Sequence, residues 1–99
     1  MLIRVWRGRV RQNSLPAFHK FTNQTALPLL QKQDGFIQAT VGTSKADDTQ
    51  FIVVSLWRDI DSLKKFLGPE WDKAFMHPEE VPILDGNPTV EHYDVFSKT

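Results

Sequence analysis

The heptapeptide Phe51-Ile52-Val53-Val54-Ser55-Leu56-Trp57 constrains the fold more than any other part of the chain. Its β-branched and aromatic residues mark a strand. Side chains alternate across a strand, so Phe51, Val53 and Trp57 share one face while Ile52, Val54 and Leu56 share the other. Both faces are apolar, so both need cover. The same holds for residues 2–10, where Leu2 and Trp6 oppose Ile3 and Val5. It holds again for residues 90–96, where Val90 and Phe96 oppose Tyr93 and Val95.

The intervening segments supply helices for one side only. Asn13 or Ser14 offers an N-cap and Pro16 suits a first helical turn. Leu15, Phe18, Thr22, Ala26 and Leu29 then follow helical spacing. Pro28 should kink or end this helix, because it lacks a donor and its ring crowds the preceding turn. Asp34-Gly35 is a turn signal before a second strand at 36–41, and 42–50 reads as an exposed hairpin loop. After the heptapeptide, Asp59 looks like an N-cap for a helix with Ile60, Leu63, Phe66 and Leu67 on one face. Gly68-Pro69 stops that helix, and Pro69 suits another short helix carrying Trp71, Ala74 and Phe75. Three prolines and a glycine make 77–88 a long loop. The order strand, helix, strand, strand, helix, strand predicts an α+β fold of the ferredoxin-like split βαβ type (βαββαβ). Its sheet is four-stranded and antiparallel, with helices on one face.

The second face then needs a partner. Ninety-nine residues make one domain, 1–99, and a chain this short buries only ~65% of its extended surface. Each large side chain buried is worth ~1.5–3 kcal/mol. Packing two sheets face to face as a two-fold homodimer shelters the open side. The competing expectation is that the C-terminal loop folds back over it.

Composition narrows the class further. Twelve basic and twelve acidic residues balance, which argues against a nucleic-acid partner. No cysteine is present, so there is no disulfide framework or thiolate chemistry. The first ten residues carry three arginines and no apolar core of a signal peptide. The longest apolar run, 51–54, is too short to span a membrane. A cytoplasmic protein is the expectation. There is no phosphate-binding glycine loop, nucleophile elbow or zinc-ligand spacing, so no metal site is expected.

Three stretches carry a family resemblance. Ile3-Arg4-Val5-Trp6-Arg7-Gly8-Arg9, Ser55-Leu56-Trp57-Arg58-Asp59 and Pro88-Thr89-Val90-Glu91-His92-Tyr93-Asp94-Val95, in this strand-helix order, resemble the antibiotic biosynthesis monooxygenase (ABM) family. His77-Pro78-Glu79-Glu80 resembles a turn found in an uncharacterised subgroup of it. The resemblance implies a dimeric α+β barrel with a ligand cavity between sheet and helices of each subunit. Some members oxidise polyketide or quinol substrates with oxygen and no metal or flavin, so no cofactor is expected. Others bind and degrade haem through an Asn-Trp-His arrangement. Laid on this chain, those positions fall on Trp6, Phe66 and Met76, with His77 adjacent. All three depart from that motif.

Within this frame His92 is the candidate base, because imidazole titrates near neutrality and can take a proton from a phenol. Arg4 could hold the resulting oxyanion and Trp6 could stack on an aromatic ring. His77, restricted to extended backbone by Pro78, is the alternative base or a haem ligand at the cavity mouth. Trp57, Phe66, Trp71 and Tyr93 complete the expected substrate contacts. Each has a plainer reading as core or interface packing. His19 reads as a surface residue, and Glu79 and Glu80 as solvated loop carboxylates. The leading expectation is a cofactor-independent monooxygenase for a small aromatic, polyketide or quinol-like substrate. The alternatives are a non-catalytic dimer binding haem or another hydrophobic ligand, and a dimer whose cavity is filled by its own side chains.

Overall fold

A computed structural model describes residues 1–99. It is α+β, with one antiparallel four-stranded sheet in the order β2-β3-β1-β4. The strands are β1 (Leu2–Arg9), β2 (Phe36–Thr43), β3 (Gln50–Trp57) and β4 (Thr89–Asp94). The helices are α1 (Leu15–Phe21), α2 (Leu27–Gln31) and α3 (Ile60–Leu67). The expected βαββαβ order is therefore present, and the two strands apolar on both faces, β1 and β3, are the central pair.

Three local expectations needed correction. Pro28 neither ends nor sharply breaks the first helix. A π-helical turn, Thr22–Ala26, joins α1 to α2, and the Leu27 N–H donates to the Thr22 carbonyl five residues back. Pro28 follows directly in α2, where the changed bonding register of the π turn accommodates a residue without an N–H. No helix forms beyond Pro69; a single 3₁₀ turn, Gly68–Glu70, leads directly into loop. At the start of the first helix neither Asn13 nor Ser14 caps; both lie in a 3₁₀ turn, Gln12–Ser14.

The helix-covered face of the sheet is divided by a polar row. Strand register aligns His92, Arg4, Ser55 and Ala39 across the four strands. On one side of that row Trp6, Val10, Phe18, Phe51 and Leu84 form one core cluster. On the other, Leu2, Trp57 and Leu63 form a second. Residues 71–88 pack onto the first cluster through Ala74, Met76, Ile83 and Leu84, and Val10 bridges to Leu84. That loop therefore closes the helix side of the sheet and leaves the opposite face uncovered. Ile3, Val5, Ile52, Val54 and Leu56 lie at the centre of the open face. An exposed Arg7–Glu91 ion pair and the ring of Tyr93 border them.

Two short devices fix the β3–α3 corner. The Asp59 carboxylate accepts the Ser62 backbone N–H at 2.8 Å and so caps α3 as expected. Gly35, at φ 84°, turns the chain into β2, and its carbonyl accepts the Arg58 N–H at 2.8 Å. A Cβ on Gly35 would run into the Ser62 side chain, itself buried. Gly35→Ala adds this clash to a left-handed backbone and should cost roughly 1–3 kcal/mol. Urea unfolding would measure it, and a loss under ~0.5 kcal/mol would contradict this packing.

Candidate active site

The polar row opens onto a cavity of about 120 Å³ between the sheet and its helices. The walls are mainly apolar. Trp6, Val53 and Trp57 come from the sheet, Phe21, Leu29 and Leu30 from the first helical segment, and Leu63, Phe66 and Leu67 from α3. Four polar residues interrupt them: Arg4, Ser55, His77 and Glu80. An engineered cavity of ~150 Å³ holds benzene, so this one is sized for a single ring.

Arg4 is the unusual group. Register on β1 points it to the helix side, where it is only 7% exposed. No carboxylate lies within ion-pairing distance; the five ion pairs of the chain involve other cations. Arg4 Nη1 donates to the Trp71 carbonyl at 2.7 Å and to His92 Nε2 at 2.8 Å, and Nη2 donates to the Lys73 carbonyl at 3.2 Å. Burial lowers its pKa to about 10, so it remains a cation at neutral pH. Of five N–H donors, the Nε–H and one Nη2–H have no protein acceptor. The Nε, unpaired within the chain, is not enclosed, and Arg4 lines the cavity, so this is the free edge of the guanidinium. A free guanidinium N–H is a strong, charge-assisted donor to an oxyanion.

The expected site residues separate into two groups. Arg4, Trp6, Trp57, Phe66 and His77 stand on the cavity wall. His92, Trp71 and Tyr93 do not. Arginine only donates, so His92 Nε2 must accept from it and the ring is held neutral; burial, with the Arg4 charge second, lowers its pKa. The edge of Trp71 lies on that ring at 5.0 Å. His92 and Trp71 thus reach the cavity only through the guanidinium they hold. Tyr93 alternates to the open face, where its hydroxyl donates to Glu91 at 2.6 Å. Trp57 is fully buried, stacks on Phe66 at 5.8 Å and donates its N–H to Ser55 Oγ at 3.0 Å.

Glu80 is the residue that sequence reasoning passed over. Instead of being solvated it is 8% exposed, and it lines the cavity. Its Oε1 accepts the His77 backbone N–H at 2.9 Å. Burial raises its pKa, against smaller opposing effects of the His77 N–H and the His77 charge. The signal was weak: a carboxylate in a proline-containing loop has no periodicity to give its direction. No three metal-ligating side chains converge anywhere in the fold, and no helix is long and apolar enough to cross a membrane.

The antiparallel sheet with helices on one face and a cavity between them defines an α+β protein of ferredoxin-like fold. The family model described as antibiotic biosynthesis monooxygenase matches residues 1–77, and the chain belongs to that family. No curated protein matches it in sequence. Among solved structures, a protein of Nitrosomonas europaea superposes with a TM-score of 0.79 at 12% identity, over 98% of this chain and 100% of that one. SnoaB of Streptomyces nogalater, a cofactor-independent oxygenase, gives 0.73 at 19% identity over 98% and 94%. A conserved protein of Methanosarcina mazei Go1 gives 0.75 at 19% over 94% and 91%. At such identities the likeness is one of fold.

Proposed function

We propose that this protein, as a single domain 1–99, is a cytoplasmic, cofactor-independent monooxygenase for a single-ring phenol or quinol. The observation that carries the reading is the free edge of Arg4 in a mainly apolar, ring-sized cavity. A buried cation without a carboxylate is unfavourable until something anionic meets it. A phenolate supplies that charge and fills the apolar remainder. An ionised phenol is electron-rich enough to pass an electron to oxygen, whereas the neutral phenol is not. Addition of the resulting superoxide to the ring and loss of water convert phenol and O₂ into quinone and water, which balances without a cofactor. Trp6 and Trp57 then serve as apolar walls, and His92 holds Arg4 in place. Membership of the monooxygenase family and the fold shared with SnoaB support this reading.

The site is read as working within a homodimer formed through the open sheet face. Val54 is 37% and Tyr93 47% exposed there, an apolar area that soluble monomers seldom leave wet. Haem binding fits less well, because the macrocycle is several times larger than the cavity.

Oxygen uptake with hydroquinone tests the chemistry. The wild type should consume oxygen, and Arg4→Met, which keeps the unbranched stem of the side chain without the charged head, should lower kcat/KM about 10- to 100-fold. That range corresponds to the ~1.5–3 kcal/mol of a hydrogen bond to a charged group. Equal rates in the two proteins would remove Arg4 from the mechanism. A wild type inert towards single-ring phenols and quinols would sink the reading itself.

A further inference from the structure

Every basic lone pair facing the cavity can be accounted for, and one is left over. His92 Nε2 is occupied by Arg4, and its ring is off the wall. His77 is on the wall, but its Nδ1 accepts the Glu79 backbone N–H at 3.1 Å. Its neutral ring therefore carries the proton on Nε2 and can only donate there. Ser55 Oγ accepts from Trp57, and a hydroxyl is no base at neutral pH. Glu80 spends Oε1 on His77, while Oε2 has no protein donor. Since no enclosed side-chain atom goes unpaired, Oε2 is accessible, and Glu80 stands on the wall of this cavity.

From this the geometry assigns to Glu80 the role of proton acceptor, its Oε2 taking the hydroxyl proton of a phenol or quinol whose oxygen settles on the free edge of Arg4. The assignment rests on the reading of the cavity given above. The step breaks the substrate O–H bond, forms Oε2–H, and leaves the electron pair on the oxygen facing the guanidinium. Charge is conserved: one carboxylate is neutralised as one phenolate appears. The cavity favours the exchange from both ends. Burial makes the Glu80 carboxylate a stronger base than usual, and Arg4 stabilises the anion. The charged and titratable groups facing Glu80 are His77, at its own turn, and Arg4, across the cavity. Glu80 also lies beyond the residues matched by the family, which end at 77. The base thus sits in the loop that follows the matched segment.

Glu80→Gln tests it, because the amide oxygen can still accept the His77 N–H and the fold is kept. With hydroquinone, kcat should fall about 100-fold, the lower end of the range for lost general-base catalysis, while KM changes little. The wild-type kcat should decline as acid protonates Glu80, and the variant should lose that decline. With a ring-fluorinated hydroquinone already ionised in solution, the defect should shrink to a few-fold, since no proton remains to be taken. Glu80→Asp, which retains the charge on a shorter arm, should fall between the two on the neutral substrate. An equal defect on both substrates, or no defect, overturns the role of Glu80 and leaves the monooxygenase reading standing. A wild type that consumes oxygen with neither substrate overturns that reading and the role of Glu80 with it.

Discussion

Trp57→Ala should remove about 3–5 kcal/mol of stability, the range for emptying a buried large aromatic site. Trp57 has no solvent exposure and holds the second core cluster together with Leu2 and Leu63. It also meets Phe36 edge-on at 5.4 Å and Phe66 in a stack at 5.8 Å. Small domains have only ~5–15 kcal/mol in total, so this one change takes a large share. The polar row explains why repacking cannot soften the loss. Arg4 and Ser55 separate the two clusters, and apolar side chains from the first cannot slide in to fill the gap. Trp57→Phe keeps one aromatic ring but loses the rest of the indole and the donor to Ser55, so it should cost less, about 1–2 kcal/mol. Urea unfolding at constant m would give both numbers. A Trp57→Ala loss below ~1.5 kcal/mol would mean that the second cluster is not a core.

Val54→Asp should break the proposed dimer. Val54 sits mid-strand on β3, aligned with Val5 on one side and Thr40 on the other. It points away from the cavity and is exposed in the single chain. Two-fold packing through this face would bury two added carboxylates in an apolar contact. An unpaired buried charge costs ~3 kcal/mol or more, so the dissociation constant should rise at least about 100-fold. Sedimentation of both proteins at micromolar concentration would show dimer becoming monomer. A wild type that is already a stable monomer would refute the interface. Because the mutated side chain faces the other way, the cavity should be spared, and oxygen uptake by Val54→Asp reports whether one subunit suffices.

Much of the fold was legible because alternation and capping are local codes. The apolar heptapeptide became the central strand β3, Asp59 became the cap of α3, and Asp34-Gly35 became the turn into β2. Alternation also assigns His92 to the side of Val90, and strand register then delivers it to Arg4. What local codes could not give was a contact between distant segments. The guanidinium of Arg4 is held by carbonyls 67 and 69 residues away, and nothing in either stretch announces the other. The helix through Pro28 was misjudged for a related reason. The π turn that accommodates the proline is a register change in backbone bonding, not a pattern of side chains. Glu80 was missed because residues 77–88 have neither period, so only the folded chain reveals that the loop turns a carboxylate inward.

The strap formed by residues 71–88 has an evolutionary consequence. It supplies Phe75, His77 and Glu80 to the cavity, yet it contributes no strand to the sheet and no turn to α3. Its substitutions can therefore alter what the cavity protonates or admits while strand pairing stays intact. A lineage could exchange one reactivity for another by rewriting the cavity-facing positions of this strap, keeping the sheet as an inherited chassis.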